Sequence, residues 1–248
     1  MKRLVRSFVP ERLYRPLLRA VRRLRRRTFP VGAGLAGLEP VSAIWGLDRG
    51  TPIERYYIER FLADHARDIR GRVLEIGDPR YTRRFGTAVT RSDVLNLTEG
   101  NPEATIVGDL ATGEGLPDEA FDCLIVVNTL LLIYDPAAAI AACWRALRPG
   151  GVLLAHFTAV ARRPFNDGRE GPPGWLGEGD YWRFTSTSAR RLCEESFRPG
   201  SVEVTVFGSV RTASAWLYGL AAEDLTPEEL EHRDPRFELA ILVRAVKP

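Results

Sequence analysis

Four acids stand near the ends of apolar runs in this chain: Glu75 and Asp78 around "RVLEIGD", Asp93 in "VTRSDVL", and Asp109 in "ATIVGDL". Gly77 accompanies the first, Leu110 follows the last, and Asn128 closes a fourth run, "FDCLIVVN". Carboxylates accept hydrogen bonds from hydroxyls and amines and favour a nearby positive charge. A pyrophosphate asks for something else, a glycine-rich turn whose amides approach the ligand. Here Gly77 stands alone, and Pro79 has no amide hydrogen to offer. The set therefore suits a ligand with ribose hydroxyls, an exocyclic amine and a cationic centre. In that reading Asp93 takes the ribose and Asp109 the amine.

Two further groups bear on chemistry. His156 follows the apolar residues of "GGVLLAHF" and has the intrinsic pKa of a general base, although a hydrogen-bonded core histidine is the commoner occupant of such a position. Tyr134 is a candidate for the wall of an acceptor pocket or an ordinary packing tyrosine. In "GDYWRFTSTSARRL", Asp180, Tyr181, Trp182 and Arg183 place an aromatic pair between opposite charges ahead of a helix that Thr185 or Ser186 can cap. Acceptor binding and an internal ion pair with packed aromatics both fit. Arg55, Tyr56 and Glu59 read either as cover for a cofactor or as a solvated helix face. Cys123, Cys143 and Cys193 are widely spaced in apolar or helical contexts and read as inert thiols. With His65, His156 and His232 scattered, no metal site is expected.

The elements that must position these residues alternate. Strand-like runs are expected over 72–77, 89–95, 104–110, 121–128, 150–157, 201–208 and 237–246. A helix over 135–147 stops at "RPGG". An earlier helix opens at "TPIERYYIERFLADHA", with Thr51 as cap, Pro52 in the first turn and Glu54 in the capping-box position. The pattern predicts an α/β fold: a Rossmann-like, seven-stranded, mostly parallel sheet with helices on both faces. Ligands of such sheets sit outside the carboxyl ends of the strands, where strand order reverses. Only residues 78–88 separate the first two runs, near the lower limit for a crossover.

The net charge of +3 over 248 residues conceals an asymmetry. Residues 1–28 hold eleven Lys or Arg against Glu11, a balance of +10, so the remainder carries −7. Leu13, Leu17, Val21 and Leu24 recur at helical spacing between arginines, and Pro16 is expected to kink or restart the helix. This basic amphipathic arm suits an anionic membrane surface or a partner protein, or serves only as a docked, solubilising helix. With few aromatics for base stacking, nucleic acid is a poorer fit. "FPVGAGLAGLEP" reads as a linker, which divides the chain into an arm over 1–40 and a domain over 41–248. No apolar run approaches a membrane span, and arginines interrupt any secretory core, so a cytoplasmic protein is expected, peripheral to the inner face of the membrane if the arm binds there.

The ordered set "VLEIG", "SDVL", "VGDL", "FDCLIVVNTLLLIYD" and "ALRPGGVLL" resembles the class I S-adenosylmethionine-dependent methyltransferases, over about Pro52 to Lys247. The resemblance implies S-adenosyl-L-methionine as cofactor and Glu75, Gly77, Asp78, Arg80, Asp93, Asp109, Leu110 and Asn128 as its contacts. It also implies methyl transfer, with Tyr134 at a position where related enzymes often carry histidine. "DRGTPIERYYIERFL" and "GDYWRFTSTSARRL" look like bacterial type 11 methyltransferases of sugar and cell-surface glycan synthesis, which implies O-methylation of a sugar or other small polar acceptor. The chain departs from the family where a second glycine would stand and Pro79 is found. That departure keeps open a catalytically inactive, methyltransferase-like binding protein. The arm keeps open an RNA methyltransferase, although "NTLL" after the fourth run lacks the Asn-Pro-Pro-aromatic stretch of many nucleic-acid enzymes. A nicotinamide oxidoreductase is disfavoured by the lone glycine.

Overall fold

The structure, a computed structural model, describes residues 37–163 and 180–248; the basic arm and most of the expected linker lie outside the described residues. These fall into two compact units, one built of residues 57–209 and 233–248, the other of the chain up to Tyr56 with Val210–His232.

The larger unit holds a seven-stranded sheet. Its strands are β1 (Arg70–Ile76), β2 (Ala88–Asn96), β3 (Ile106–Val107), β4 (Phe121–Val126), β5 (Leu147–Thr158), β6 (Val202–Phe207) and β7 (Ala240–Val246), in the order β3-β2-β1-β4-β5-β7-β6. The first five run parallel, while β7 enters antiparallel between β5 and β6. Strand order reverses between β1 and β4, which opens a crevice at their carboxyl ends. β4 is buried at every position but Asp122, as expected of a strand covered on both faces. The expected third strand shrinks to two residues. Thr105 already bonds to β2 through its amide and side chain, and beyond Gly108 the chain folds back so that Asp109 bridges Glu114.

The connecting helices follow local signals. α1 (Ile53–Asp64) begins after Pro52, and α2 (Arg80–Phe85) is the short crossover between β1 and β2. α3 (Pro136–Ala146) is capped by Asp135, whose side chain accepts from the Ala138 amide at 3.0 Å. α4 (Ser186–Glu194) starts in a capping box between Thr185 and Ser188. Leu74, Leu124, Leu153, Ala155 and Phe157 of the sheet share one apolar cluster with Ile140 and Cys143 of α3 and Ala189 and Cys193 of α4. Burial pushes the thiols of Cys143 and Cys193 up to about 12 and raises that of Cys123 as well, so all three are inert, as expected.

In the smaller unit, Arg49 forks onto Asp224 at 2.8 and 3.1 Å with both side chains buried, and Pro52 bridges Ala221. α5 (Val210–Leu217) and α6 (Pro227–Glu231) complete it, tied by Arg211 donating to Glu229 at 2.9 Å. Thr51 is not the cap of α1: its amide and hydroxyl both donate to Glu223, at 2.8 and 3.1 Å.

Candidate active site

The tip of β1 carries Gly77 with φ of +81°, in the left-handed region that favours glycine. Its amide donates to the Leu95 carbonyl at 2.9 Å, and its carbonyl accepts from the Asn101 side chain at 2.7 Å. A Cβ placed on Gly77 would meet nothing within 4 Å, so the space beside it is open. Glu75, expected at the ligand, faces the protein. One carboxylate oxygen accepts from the Tyr81 amide at 3.0 Å, the other from the Thr82 amide and hydroxyl at 2.8 and 2.9 Å. Burial raises its pKa against the lowering effect of these three bonds. Asp78 of the loop and Arg80, the first residue of α2, pair with each other at 3.0 Å, both half-exposed. Pro79 is the N-cap of α2, and Tyr81 is buried, stacked on Phe85 with ring centroids 6.4 Å apart.

Asp93 departs most from expectation. It lies opposite Leu74 in the body of β2, three residues short of the strand's end at Asn96. Its side chain is fully buried and accepts from Arg72 at 2.7 Å, Thr105 at 2.9 Å and Arg91 at 3.0 Å. Burial alone would raise its pKa; the bonds from Arg72, Thr105 and Arg91 outweigh that and hold it below the usual carboxylate range. The acid expected to take a ribose thus neutralises two arginines. The polar groups that do reach the tip of β2 are Asn96 and Asn101, whose side chains bond to one another at 3.3 Å beside Gly77. Sequence reasoning missed both. The signal available was the turn-rich "NLTEGN" that closes the strand.

Of the remaining expected contacts, Asp109 and Leu110 follow β3; Asp109 closes a turn by accepting from the Ala111 amide at 2.8 Å, and Leu110 is buried. Asn128, just past β4, holds φ of +52°, a conformation asparagine tolerates. His156 sits in β5 opposite Leu242, 1% exposed, and burial lowers its pKa to about 3. That placement is the core-histidine alternative, not a base facing an acceptor. Beyond β4, Tyr134 is exposed and meets Tyr181 edge-on at 5.2 Å and Trp182 at 6.2 Å. Asp180 and Arg183 form a two-pronged ion pair inside their own segment, and Arg183 also donates to the Ala161 and Arg162 carbonyls at 3.4 Å. A separate cleft of about 610 Å³ lies between α2 and residues 102–105, its lining including Thr82, Thr87, Ser92 and Thr105; none of the expected site residues lines it.

A sheet of this order, with an open left-handed glycine at the tip of β1 and polar groups at the tips of its neighbours, defines a Rossmann-like ligand-binding domain whose site lies at the strand ends. Residues 84–155, from α2 to β5, match the family described as "Methyltransferase domain". The matched span covers under a third of the chain and begins after the Gly77 loop. No curated protein matches the chain. Among solved structures it is similar to an S-adenosylmethionine-dependent methyltransferase from Mesorhizobium loti, at 17% identity over 79% of this chain and 98% of that one, TM-score 0.48. It is also similar to a Haloferax volcanii methyltransferase complex with the Trm112 activator, at 16% identity over 78% and 91% of the chains, TM-score 0.46.

Proposed function

We propose that this protein transfers the methyl group of S-adenosyl-L-methionine to a hydroxyl of a sugar or another small polar acceptor of the cell envelope. The reading places it in the cytoplasm, with residues 1–28 contacting an anionic membrane face or a partner protein. The observation that carries it is the open space beside Gly77, flanked by Asn96 and Asn101. The residues present fit the donor: Gly77 leaves room for its amino-acid end, the Asn96 and Asn101 amides suit ribose hydroxyls, Asp109 accepts from an exocyclic amine, and Asn128 lines the crevice. When bound, the donor supplies a methyl group on a cationic sulfur, open to in-line attack by an oxygen lone pair. The protein's part is to align the acceptor and exclude competing water, and orientation of this kind is worth roughly 7–11 kcal/mol in favourable intramolecular cases. With His156 buried in the sheet, the acceptor's proton leaves to solvent at the crevice rim. The combination of a buried Asp93 and Pro79 in place of a glycine favours a second reading, a binding protein without catalysis.

Calorimetry with S-adenosyl-L-methionine, followed by mass spectrometry of envelope sugar precursors incubated with labelled donor, tests both. Donor heat with methylated product supports the enzyme; donor heat without product across the panel leaves the binding protein. No heat at millimolar donor overturns the site described above.

A further inference from the structure

Three exposed aromatic side chains among the described residues, Tyr134, Tyr181 and Trp182, meet in one patch. Their exposures of 73%, 51% and 38% leave ring faces in water, yet the rings are held from behind. The Trp182 indole N–H donates to the carbonyls of Ile133 and Tyr134, at 3.0 and 3.2 Å. The amides of Tyr181 and Trp182 both donate to the Leu131 carbonyl, at 2.9 and 3.3 Å. Arg183 fixes the segment further through Asp180 and through the carbonyls just past β5. The Phe184 amide then donates to the Thr158 carbonyl, the last residue of β5, at 2.9 Å. The patch is therefore tied to the carboxyl ends of β4 and β5, on the rim of the crevice where a ligand of this sheet belongs.

The chemistry of the patch selects its occupant. An apolar ligand gains affinity by being enclosed on most of its surface, and an open ledge leaves its far side wet. A sugar ring differs, because its C–H face packs on an aromatic ring while its hydroxyls stay in solvent, so an open ledge suffices. Tyr134 meets both other rings, at 5.2 and 6.2 Å between centroids and inclined at 80° and 41°. Such spacings are about the size of one pyranose ring, and the inclinations follow a chain of rings that do not share a plane.

We propose that Tyr134, Tyr181 and Trp182 form a stacking platform for adjacent pyranose rings of an oligosaccharide acceptor, and that they set specificity for an acceptor longer than a monosaccharide. The proposal rests on the methyltransferase reading above only for its link to turnover. Binding itself is testable without the donor.

The test uses the full chain and a panel of mono-, di- and tetrasaccharides of hexoses and 6-deoxyhexoses, measured by calorimetry without donor and then by turnover with it. We expect disaccharides to bind more tightly than their component sugars. Tyr181→Ala and Tyr134→Ala should weaken that binding roughly tenfold or more, as loss of an aromatic anchor does. Tyr181→Phe should restore it, and in turnover the loss should fall on acceptor KM with kcat and donor heat unchanged. Trp182→Ala removes an anchoring indole, so the exposed Tyr181 and Tyr134 variants decide the matter if that variant fails to fold. The proposal is overturned if no saccharide binds, if disaccharides bind no better than monosaccharides, or if the tyrosine variants bind as the wild type does. Platform-dependent binding without methylation sinks the methyltransferase reading alone; methylation insensitive to the tyrosine variants sinks the platform alone.

Discussion

Replacing His156 with leucine separates a packed histidine from a catalytic one. In the folded chain burial holds His156 near a pKa of about 3, against 6.5 for the ordinary side chain. The folded state therefore keeps it neutral where the unfolded state takes up a proton. Its neutral form favours folding fully above pH 6.5, and that contribution drains away as pH falls from 6.5 toward 3. A full proton is worth about 1.36 kcal/mol per pH unit, and the unfolded side chain is already half protonated at pH 6.5, so wild type should lose about 2 kcal/mol between pH 6.5 and 4.5 on this account. His156→Leu lacks the group and should not lose that amount. All other ionisable groups are common to the two chains and cancel in the difference. Urea unfolding of both proteins at several pH values measures it directly. Parallel stability curves would refute the reasoning, because they would mean that His156 carries its proton in the fold. A fall in kcat of roughly a hundredfold or more in the variant at pH 7.5 would refute the other half, since that is the scale of a lost general base.

Three further substitutions probe the strand tips. Glu75→Gln leaves one acceptor for the Tyr81 amide but turns an NH2 group toward the amide and hydroxyl of Thr82, so thermal unfolding should show a loss of about 1–3 kcal/mol. Asp93→Asn strips the charged partner from Arg72 and Arg91, both partly exposed to water, and should cost about 1–3 kcal/mol by denaturant titration, with donor heat per folded molecule unchanged. Asn96→Ala should do the reverse, weakening donor binding in calorimetry with little effect on unfolding; equal loss of donor heat in both variants would restore Asp93 to the ligand. Gly77→Ala forces a left-handed alanine at a cost of about 1–2 kcal/mol and places a methyl group in the open space, so donor heat should vanish while circular dichroism keeps the folded signature.

The seven strands and their parallel majority were legible because the runs lie between turn signals, and the cap of α4 was legible because Thr185 acts within its own turn. Asp93 was not, for a non-local reason. Whether an acid lies in a strand's body or at its tip depends on register, and β2 runs on past Asp93 because Val94 and Leu95 pair with Glu75 and Ile76 of β1. Thr51 was misassigned likewise, its partner Glu223 lying far along the chain. The aromatic patch was half legible: composition pointed to Tyr181 and Trp182, but only the fold brings Tyr134 to them.

The departure at Pro79 has a local explanation once Glu75 is placed. The first amides of a helix have no intrahelical acceptor, so a proline at the N-cap of α2 forfeits no bond within the helix. The Tyr81 and Thr82 amides that follow are bound by the buried Glu75 carboxylate. A turn elsewhere kept tight by glycines is here kept tight by a carboxylate reaching forward from the strand. The side chain of Tyr81 packs inward on Phe85 and does not fill the space beside Gly77. Losing the second glycine therefore removes backbone donors suited to an anion, while the groups suited to hydroxyls, Asn96 and Asn101, remain at the tip. The loop is poor for a pyrophosphate and still open to a ribose beside a cationic tail.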